Sequence, residues 1–257
     1  MLFDTHIHTR FSTDSTMTIE EAIAVAEKKG IGLIVTEHLD LEYPEPGSFL
    51  FDLDEYFSEY ERYRGESLRL GVEIGMLEGL HDQNQQIIEA YPFDYVIGSV
   101  HVVDMIEVHT EEFSRLGSKR KVYEKYFQAM NCCLENYDSI DSLGHIDYVA
   151  RYARYPDKEI YYDELQEHID AVLKTVAQKE KAIEINTRRL TKREIIEALI
   201  PIYKRFRTLG GTMVTLGSDA HKAADVGKGM KEALEIAEQC NLKVVTYRQR
   251  QAEVIRY

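Results

Sequence analysis

Leu2-Phe3-Asp4-Thr5-His6-Ile7-His8 is the stretch from which the rest of the chain can be read. Two apolar residues run into an alternating pair of histidines, and in an extended strand alternate side chains leave the same face. His6 and His8 therefore point to one place. On spacing alone such a pair suits a polar surface as well as an ion, so the positions of the other histidines decide between the two. Six later segments share one feature: an apolar run that ends on a metal-capable or polar side chain. Residues 31–35 lead to Thr36-Glu37-His38, 68–72 to Glu73, and 95–100 to His101. Residues 142–144 lead to His145, 183–185 to Asn186, and 212–217 to Ser218-Asp219-Ala220-His221. Imidazoles and carboxylates at successive strand ends converge at one mouth of a barrel of parallel strands, where barrel enzymes hold their active sites.

Helical patterns separate these runs. Thr18-Ile19-Glu20-Glu21 has the form of a capping box and opens a helix that closes at Lys28-Lys29-Gly30. Residues 53–63 read as a helix with Tyr56, Tyr60 and Tyr63 on one packed face, and 81–90 and 119–136 as two more helices. Apolar positions at Leu165, Ile169, Val172 and Val176 predict a helix over 162–179 that leaves His168 at the surface. Thr191-Lys192-Arg193-Glu194 predicts a second capping box and a helix to about 209, and a last helix near 230–239 precedes the apolar run 242–245. Strand-then-helix order repeated about seven times calls for an α/β fold with a parallel sheet closed into a barrel. The longest loop-like piece, 39–52 with Pro44, Pro46 and Gly47, is short enough to serve as an active-site loop.

Composition bounds what such a mouth can act on. The chain of 257 residues is expected to form one domain, as α/β barrels of this size do. Its 31 basic and 45 acidic residues give a formal charge of −14, which repels a phosphate backbone and argues against nucleic acid as a partner. The start of the chain lacks the basic and apolar regions of a signal peptide, and no apolar run approaches a membrane span, so a cytoplasmic protein without a membrane partner is expected. Cys132, Cys133 and Cys240 form no C-x-x-C pair and read as reduced thiols.

Taken together, Asp4-Thr5-His6-Ile7-His8, Ser12-Thr13-Asp14-Ser15, Thr36-Glu37-His38, Gly71-Val72-Glu73, Gly98-Ser99-Val100-His101, Gly144-His145 and Gly217-Ser218-Asp219-Ala220-His221 resemble the polymerase-and-histidinol-phosphatase (PHP) superfamily. Gly144-His145-Ile146-Asp147-Tyr148 with Arg151-Tyr152, and Glu184-Ile185-Asn186-Thr187, are similar to its histidinol-phosphate phosphatases. The resemblance implies a distorted seven-stranded (β/α) TIM-like barrel holding three divalent metal ions. By position, His6, His8, Glu73 and Asp219 would hold the first ion, and Glu73 would bridge to a second held by His101 and His145. Asp14, His38 and His221 would hold the third, although some relatives carry histidine in place of Asp14. Asp4 is a candidate acceptor that orients a ligand imidazole. His81 and His109 match nothing and read as ordinary polar residues.

Six imidazoles and three carboxylates without a thiolate suit Zn, Mn or Fe and do not rank them. Three divalent ions less the charges of Asp14, Glu73 and Asp219 leave about three positive charges, near what a phosphate dianion and a hydroxide neutralise. A phosphomonoester is the expected substrate, attacked in line by a hydroxide shared between two ions. Arg151 is the first candidate to take the developing phosphoryl charge, with Arg188 and Arg10 as reserves. Asn186 is placed to contact the substrate or a bound water. The expected reaction is hydrolysis of L-histidinol phosphate in histidine synthesis. Another small ester (a nucleotide or a phosphotyrosyl peptide) and a non-catalytic metal-binding module remain open. The substrate's ammonium needs a carboxylate, and Asp40 and Glu42 beside Tyr43, and Asp104, Glu107 and Glu111, are the candidates. Oligomeric state is not readable from the sequence.

Overall fold

A computed structural model describes residues 1–256. The alternation is carried out in space: β1 (Phe3–Ile7), α1 (Ile19–Lys29), β2 (Gly32–Leu39), α2 (Leu53–Tyr60), β3 (Leu68–Gly75), α3 (His81–Ala90) and β4 (Tyr95–Ser99) follow one another. A hairpin of β5 (Val102–Val103) and β6 (Ile106–Glu107), the short helix α4 (Glu111–Ser114) and the long α5 (Lys119–Asn136) lead to β7 (Ser142–Leu143). Next come α6 (Tyr148–Tyr152), α7 (Tyr162–Gln178), β8 (Ala182–Asn186), α8 (Arg193–Thr208) and β9 (Met213–Gly217). The chain finishes with α9 (Met230–Gln239), β10 (Lys243–Arg248) and β11 (Gln251–Val254).

Seven strands are parallel neighbours in the order β1-β2-β3-β4-β7-β8-β9. All positions of β2 and β3 are buried, as in parallel strands covered on both faces. The ring closes where the strands end. Ile7 bridges Ala220 in parallel, Asp219 N donates to His6 O at 2.7 Å, and His8 N donates to Ala220 O at 2.9 Å. At the opposite end β9 pairs with β10 through Met213 and Val214 instead. β1 and β9 therefore part there, which is what distorts the barrel.

The β10–β11 hairpin lies across that opened end. Arg69, at the start of β3, donates to Tyr247 O at 2.7 Å and Thr246 Oγ1 at 3.2 Å, with its guanidinium 4.4 Å from the centre of the Phe3 ring. Tyr247 stacks on Tyr95 at 5.1 Å and donates to Asp141 O. The predicted apolar run 242–245 thus belongs to a strand that plugs the bottom of the barrel.

Local expectations meet two corrections, and one element goes unpredicted. The Thr18 capping box forms, with Glu21 N donating to Thr18 Oγ1 and Glu21 accepting from Thr18 N. The Thr191 box does not. Lys192 occupies the cap position of α8 without a side-chain bond, because the Thr191 hydroxyl turns back to Arg189 O. Helix 53–63 is α-helical only to Tyr60 and tightens into a 3-10 turn over Glu61–Tyr63, while Tyr56 and Tyr60 are fully buried as packing residues. The acidic stretch after β4 hides a hairpin whose loop, Asp104-Met105, is left-handed at both residues (φ 51° and 60°). A two-residue hairpin loop of that hand normally carries Asn-Gly or Asp-Gly, and Asp-Met gives no such signal.

The plug yields a stability prediction. Arg69→Met should lower the unfolding free energy by roughly 2 kcal/mol, since it removes charge-assisted bonds and strands the Tyr247 carbonyl. Urea denaturation measures this, and an unchanged midpoint would mean that Arg69 does not hold the hairpin.

Candidate metal centre

The rim that closes the barrel also aims the ligating side chains. Asp4 clamps it from inside β1, accepting from Ser218 N at 2.8 Å, Ser218 Oγ at 2.5 Å and Gly227 N at 2.8 Å. Burial pushes its pKa up to about 6 against the pull of those donors. Asp4 therefore ties down the Ser218–Gly227 loop and orients no imidazole, contrary to the sequence expectation. Asp219 is left-handed (φ 53°), a conformation that costs a non-glycine residue about 1–3 kcal/mol. It sits between the rim bonds of β1 and a carbonyl that accepts from His221 Nδ1 at 2.9 Å and from Arg188 Nη1 at 2.5 Å.

All nine predicted ligands gather at this rim. Glu73, wholly buried on β3, faces five imidazoles. Its Oε1 lies 2.9 Å from His145 Nε2 and 3.3 Å from His101 Nε2. Its Oε2 lies 2.8 Å from His38 Nδ1, 3.3 Å from His6 Nε2 and 3.5 Å from His8 Nε2. Asp219 Oδ1 is 3.5 Å from His8 Nε2 and 4.0 Å from His6 Nε2. On the outer side, Asp14 reaches His221 Nε2 at 2.9 Å and His38 Nε2 at 3.7 Å. Burial favours a neutral Glu73, but the imidazoles of His6, His101 and His38 outweigh it and hold the carboxyl well below its usual range. Burial and the neighbouring His38 and His221 push His8 the other way, toward the neutral ring.

Two features of the packing fit divalent cations. His6 Nε2 and His8 Nε2 are 3.0 Å apart, and His38 Nε2 and His221 Nε2 are 3.4 Å apart, so each pair can share at most one proton. Glu73 Oε2 and His38 Nδ1, close as they are, lack hydrogen-bond alignment, and both remain buried without a partner. Donor atoms that crowd one another in this way are aimed at a common point. Among the described residues four groups have that geometry: His6-His8-Glu73, His38-Glu73-His101, His6-His145-Asp219 and His8-His38-His221. The nitrogen and oxygen donors suit zinc, manganese or iron.

Behind the imidazoles stands a tier of carboxylates whose roles sequence reading missed. Glu184 Oε1 is 2.7 Å from His6 Nδ1, and Asp40 Oδ1 is 2.8 Å from His101 Nδ1. His8 Nδ1 meets Ser12 Oγ at 3.1 Å, and Ser12 donates to Glu37 Oε2 at 2.5 Å. Two glycines make room. A Cβ on Gly217 would fall 2.1 Å from Glu184 Oε1, and one on Gly75 2.0 Å from Asp40 Oδ1. Glu184 stands two residues before Asn186 on β8, and that strand period was the available signal.

A cleft opens on the cluster between Arg151, Arg188, Tyr148 and Tyr152. Arg151 donates to Asp219 Oδ2 at 2.5 Å and to Asn186 Oδ1 at 3.0 Å. Asn186 also donates to Glu184 Oε2 at 3.2 Å and accepts from Arg188 N at 3.1 Å, so its amide braces both arginines. Arg10 is elsewhere, paired with Glu59 on the surface. Beside the cleft lies a pocket walled by Tyr43, Phe49, Tyr148, Tyr152 and His109. Tyr148 stacks on His145 at 4.7 Å. Tyr148 follows His145 by three residues and precedes Tyr152 by four, on the short helix α6 that sequence reading passed over.

Of the candidate carboxylates for an ammonium, Asp40 is engaged by His101, Asp104 pairs with Lys125 and Glu111 with Arg115. Glu107 Oε2 lies 3.2 Å from His109 Nε2 at the pocket wall. Burial and the charges of Glu107 and Asp40 keep the Tyr43 hydroxyl neutral. His109 thus lines the mouth, whereas His81 pairs with Asp82 and His168 with Gln128 away from it. Among the described residues no helix is long and apolar enough to cross a membrane.

The chain is 52% identical over 250 residues to a probable histidinol-phosphatase of Clostridium acetobutylicum, covering 97% of this chain and 98% of that one. It is 36% identical over 227 residues to a histidinol-phosphatase of Lactococcus lactis, covering 86% and 84%. The crystal structure of histidinol phosphate phosphatase from Lactococcus lactis, complexed with zinc, L-histidinol and phosphate, superposes with a TM-score of 0.90 at 30% identity, over 98% of each chain. The PHP domain family matches residues 4–188, the segment that carries His6 through Arg188, and the chain is a member of that family.

Proposed function

We propose that this protein is a metal-dependent phosphomonoesterase that hydrolyses L-histidinol phosphate to L-histidinol and phosphate. The observation that carries it is the juxtaposition of a nitrogen-and-oxygen cluster, a two-arginine cleft and an aromatic pocket at one barrel mouth. That is the chemistry needed for the phosphate end and the imidazole end of one small molecule. A relative 52% identical that is called a probable histidinol-phosphatase, and a neighbour crystallised with zinc, L-histidinol and phosphate, support the same substrate.

As the family resemblance implies, one ion would be held by His6, His8, Glu73 and Asp219, a second by Glu73, His101 and His145, and a third by Asp14, His38 and His221. Bound divalent ions supply a strong nucleophile from water at neutral pH and polarise the phosphoryl oxygens. The protein's part is positioning and charge. Arg151, braced by Asp219 and Asn186, directs its guanidinium into the cleft, where it binds the equatorial phosphoryl oxygens as charge develops on them. Arg188, half-exposed at the rim, meets the phosphate on its approach. Tyr148 and Tyr152 take the imidazole against their rings, and Glu107 faces the ammonium.

Phosphate release from L-histidinol phosphate, a nucleoside monophosphate and phosphotyrosine, with metal-loaded protein, tests the assignment. L-Histidinol phosphate should be turned over most efficiently, and a larger kcat/KM on either of the others would reject it. Glu73→Ala should abolish turnover, with a fall in metal content by elemental analysis. A folded variant with full metal and wild-type kcat would remove Glu73 from the centre. Glu107→Gln should lower kcat/KM for L-histidinol phosphate by about tenfold, the loss of one charge-assisted contact of roughly 1.4 kcal/mol. An amine-free phosphate ester should be unaffected, so equal losses on both esters would show that Glu107 does not read the ammonium.

A further inference from the structure

Glu184 is wholly buried, lines neither the cleft nor the aromatic pocket, and belongs to none of the four converging groups among the described residues. Its surroundings are nevertheless organised atom by atom. Oε2 accepts from the backbone N–H of His145 at 2.7 Å and from Asn186 Nδ2 at 3.2 Å, and Oε1 meets His6 Nδ1 at 2.7 Å. Its main-chain carbonyl accepts from Tyr203 Oη at 2.8 Å. The space that it fills exists because position 217 has no Cβ.

We infer that Glu184 is a positioning residue that holds His6 as its Nδ1–H tautomer, so that Nε2 keeps its lone pair for the ion. The inference rests on the metal-centre reading above. Both donors at Oε2 are fixed in role: a backbone N–H only donates, and the Asn186 oxygen is already taken by Arg151 and by Arg188 N. An ionised carboxylate only accepts, so at Oε1 the imidazole must be the donor. An ion held at Nε2 requires that nitrogen to be deprotonated, so the one remaining ring proton is the one on Nδ1; Nε2 itself faces Glu73 Oε2 at 3.3 Å and His8 Nε2 at 3.0 Å. Through Oε2 the same carboxylate fixes the backbone from which His145 projects. One side chain on β8 thus sets ligands delivered by β1 and β7.

A packing role and a proton-placing role part at a single isosteric change. In Glu184→Gln the amide oxygen must stay at the Oε2 position, because turning the NH2 group there would set it against two donors. The NH2 group then faces His6 Nδ1, which has to accept, and the ring proton moves to Nε2. A residue that only fills space would tolerate the change.

The test measures zinc affinity of the full-length protein by competition with a chromophoric chelator, for wild type and Glu184→Gln. A second arm locates the His6 ring proton by ¹⁵N-histidine NMR of the zinc-loaded wild type. The expected result is ~10–100-fold weaker binding of one zinc in the variant, with the wild-type proton on Nδ1. Wild-type affinity in the variant, or a His6 proton on Nε2, would overturn the inference. If the variant does not fold, the NMR arm decides alone. Wild-type protein that took up no zinc would overturn the metal centre itself and this inference with it.

Discussion

A single buried carboxylate sets the terms for this molecule. Glu73 is wholly excluded from solvent and has five imidazoles within 3.5 Å. An isolated carboxylate at that depth would take up a proton, and so many ring nitrogens crowded around one anion leave donor atoms facing one another. Cations placed between them relieve both problems. The barrel exists in a form that can host such a group because β3 is central: it pairs with β2 and β4 along seven and five residues, respectively, and presents Glu73 opposite His38 and Ile97.

The rim must then be rigid enough to bring the remaining ligands to the same point. β1 and β9 come from opposite ends of the chain, and a bridge at Ile7–Ala220, two backbone bonds and the Thr5 hydroxyl on Leu216 O join their ends. Asp4 adds a carboxylate clamp there, and the left-handed turn at Asp219 lets one loop supply a carboxylate inward and an imidazole outward. At the other end the sheet is held by different means, with Arg69 and Tyr247 fixing the C-terminal hairpin under the barrel. Stability and chemistry are therefore separated along the barrel axis, as the architecture favours.

Recognition is divided across the mouth in a comparable way. On the proposed reading the cluster and the two arginines would address a phosphate, which any phosphomonoester offers. Discrimination would then fall to the aromatic pocket and Glu107, carried by the loop after β2, the β5–β6 hairpin and α6. Glu37, Asp40 and Glu184 engage the nitrogens of His8, His101 and His6 that point out of the cluster, directly or through Ser12. On a protein with a formal charge of −14, acidic side chains serve at three depths, and each depth asks something different of them.

What the sequence determined by itself is the periodic part: seven apolar runs, the helices between them, and a ligand at nearly every strand end. Those follow from local chemistry, because a parallel strand buried on both faces reads as an apolar run and its last residue is necessarily at the mouth. His6, His8, His38, Glu73, His101, His145, Asp219 and His221 were legible for that reason, whereas Asp14, in the loop after β1, was legible only through the family resemblance. The tertiary structure decided whatever depends on which strands become neighbours. Glu184 and His6 are 178 positions apart, and nothing local says that one carboxylate will serve another strand's imidazole. Asp40 looked like a substrate contact until β4 brought His101 against it, and Asp4 looked like an imidazole partner until the end of β9 placed three donors around it. Tyr148 and Tyr152 gained their meaning from a five-residue helix too short to announce itself. Sequence periodicity reports the face on which a side chain lies, and only closure of the barrel reports what stands opposite.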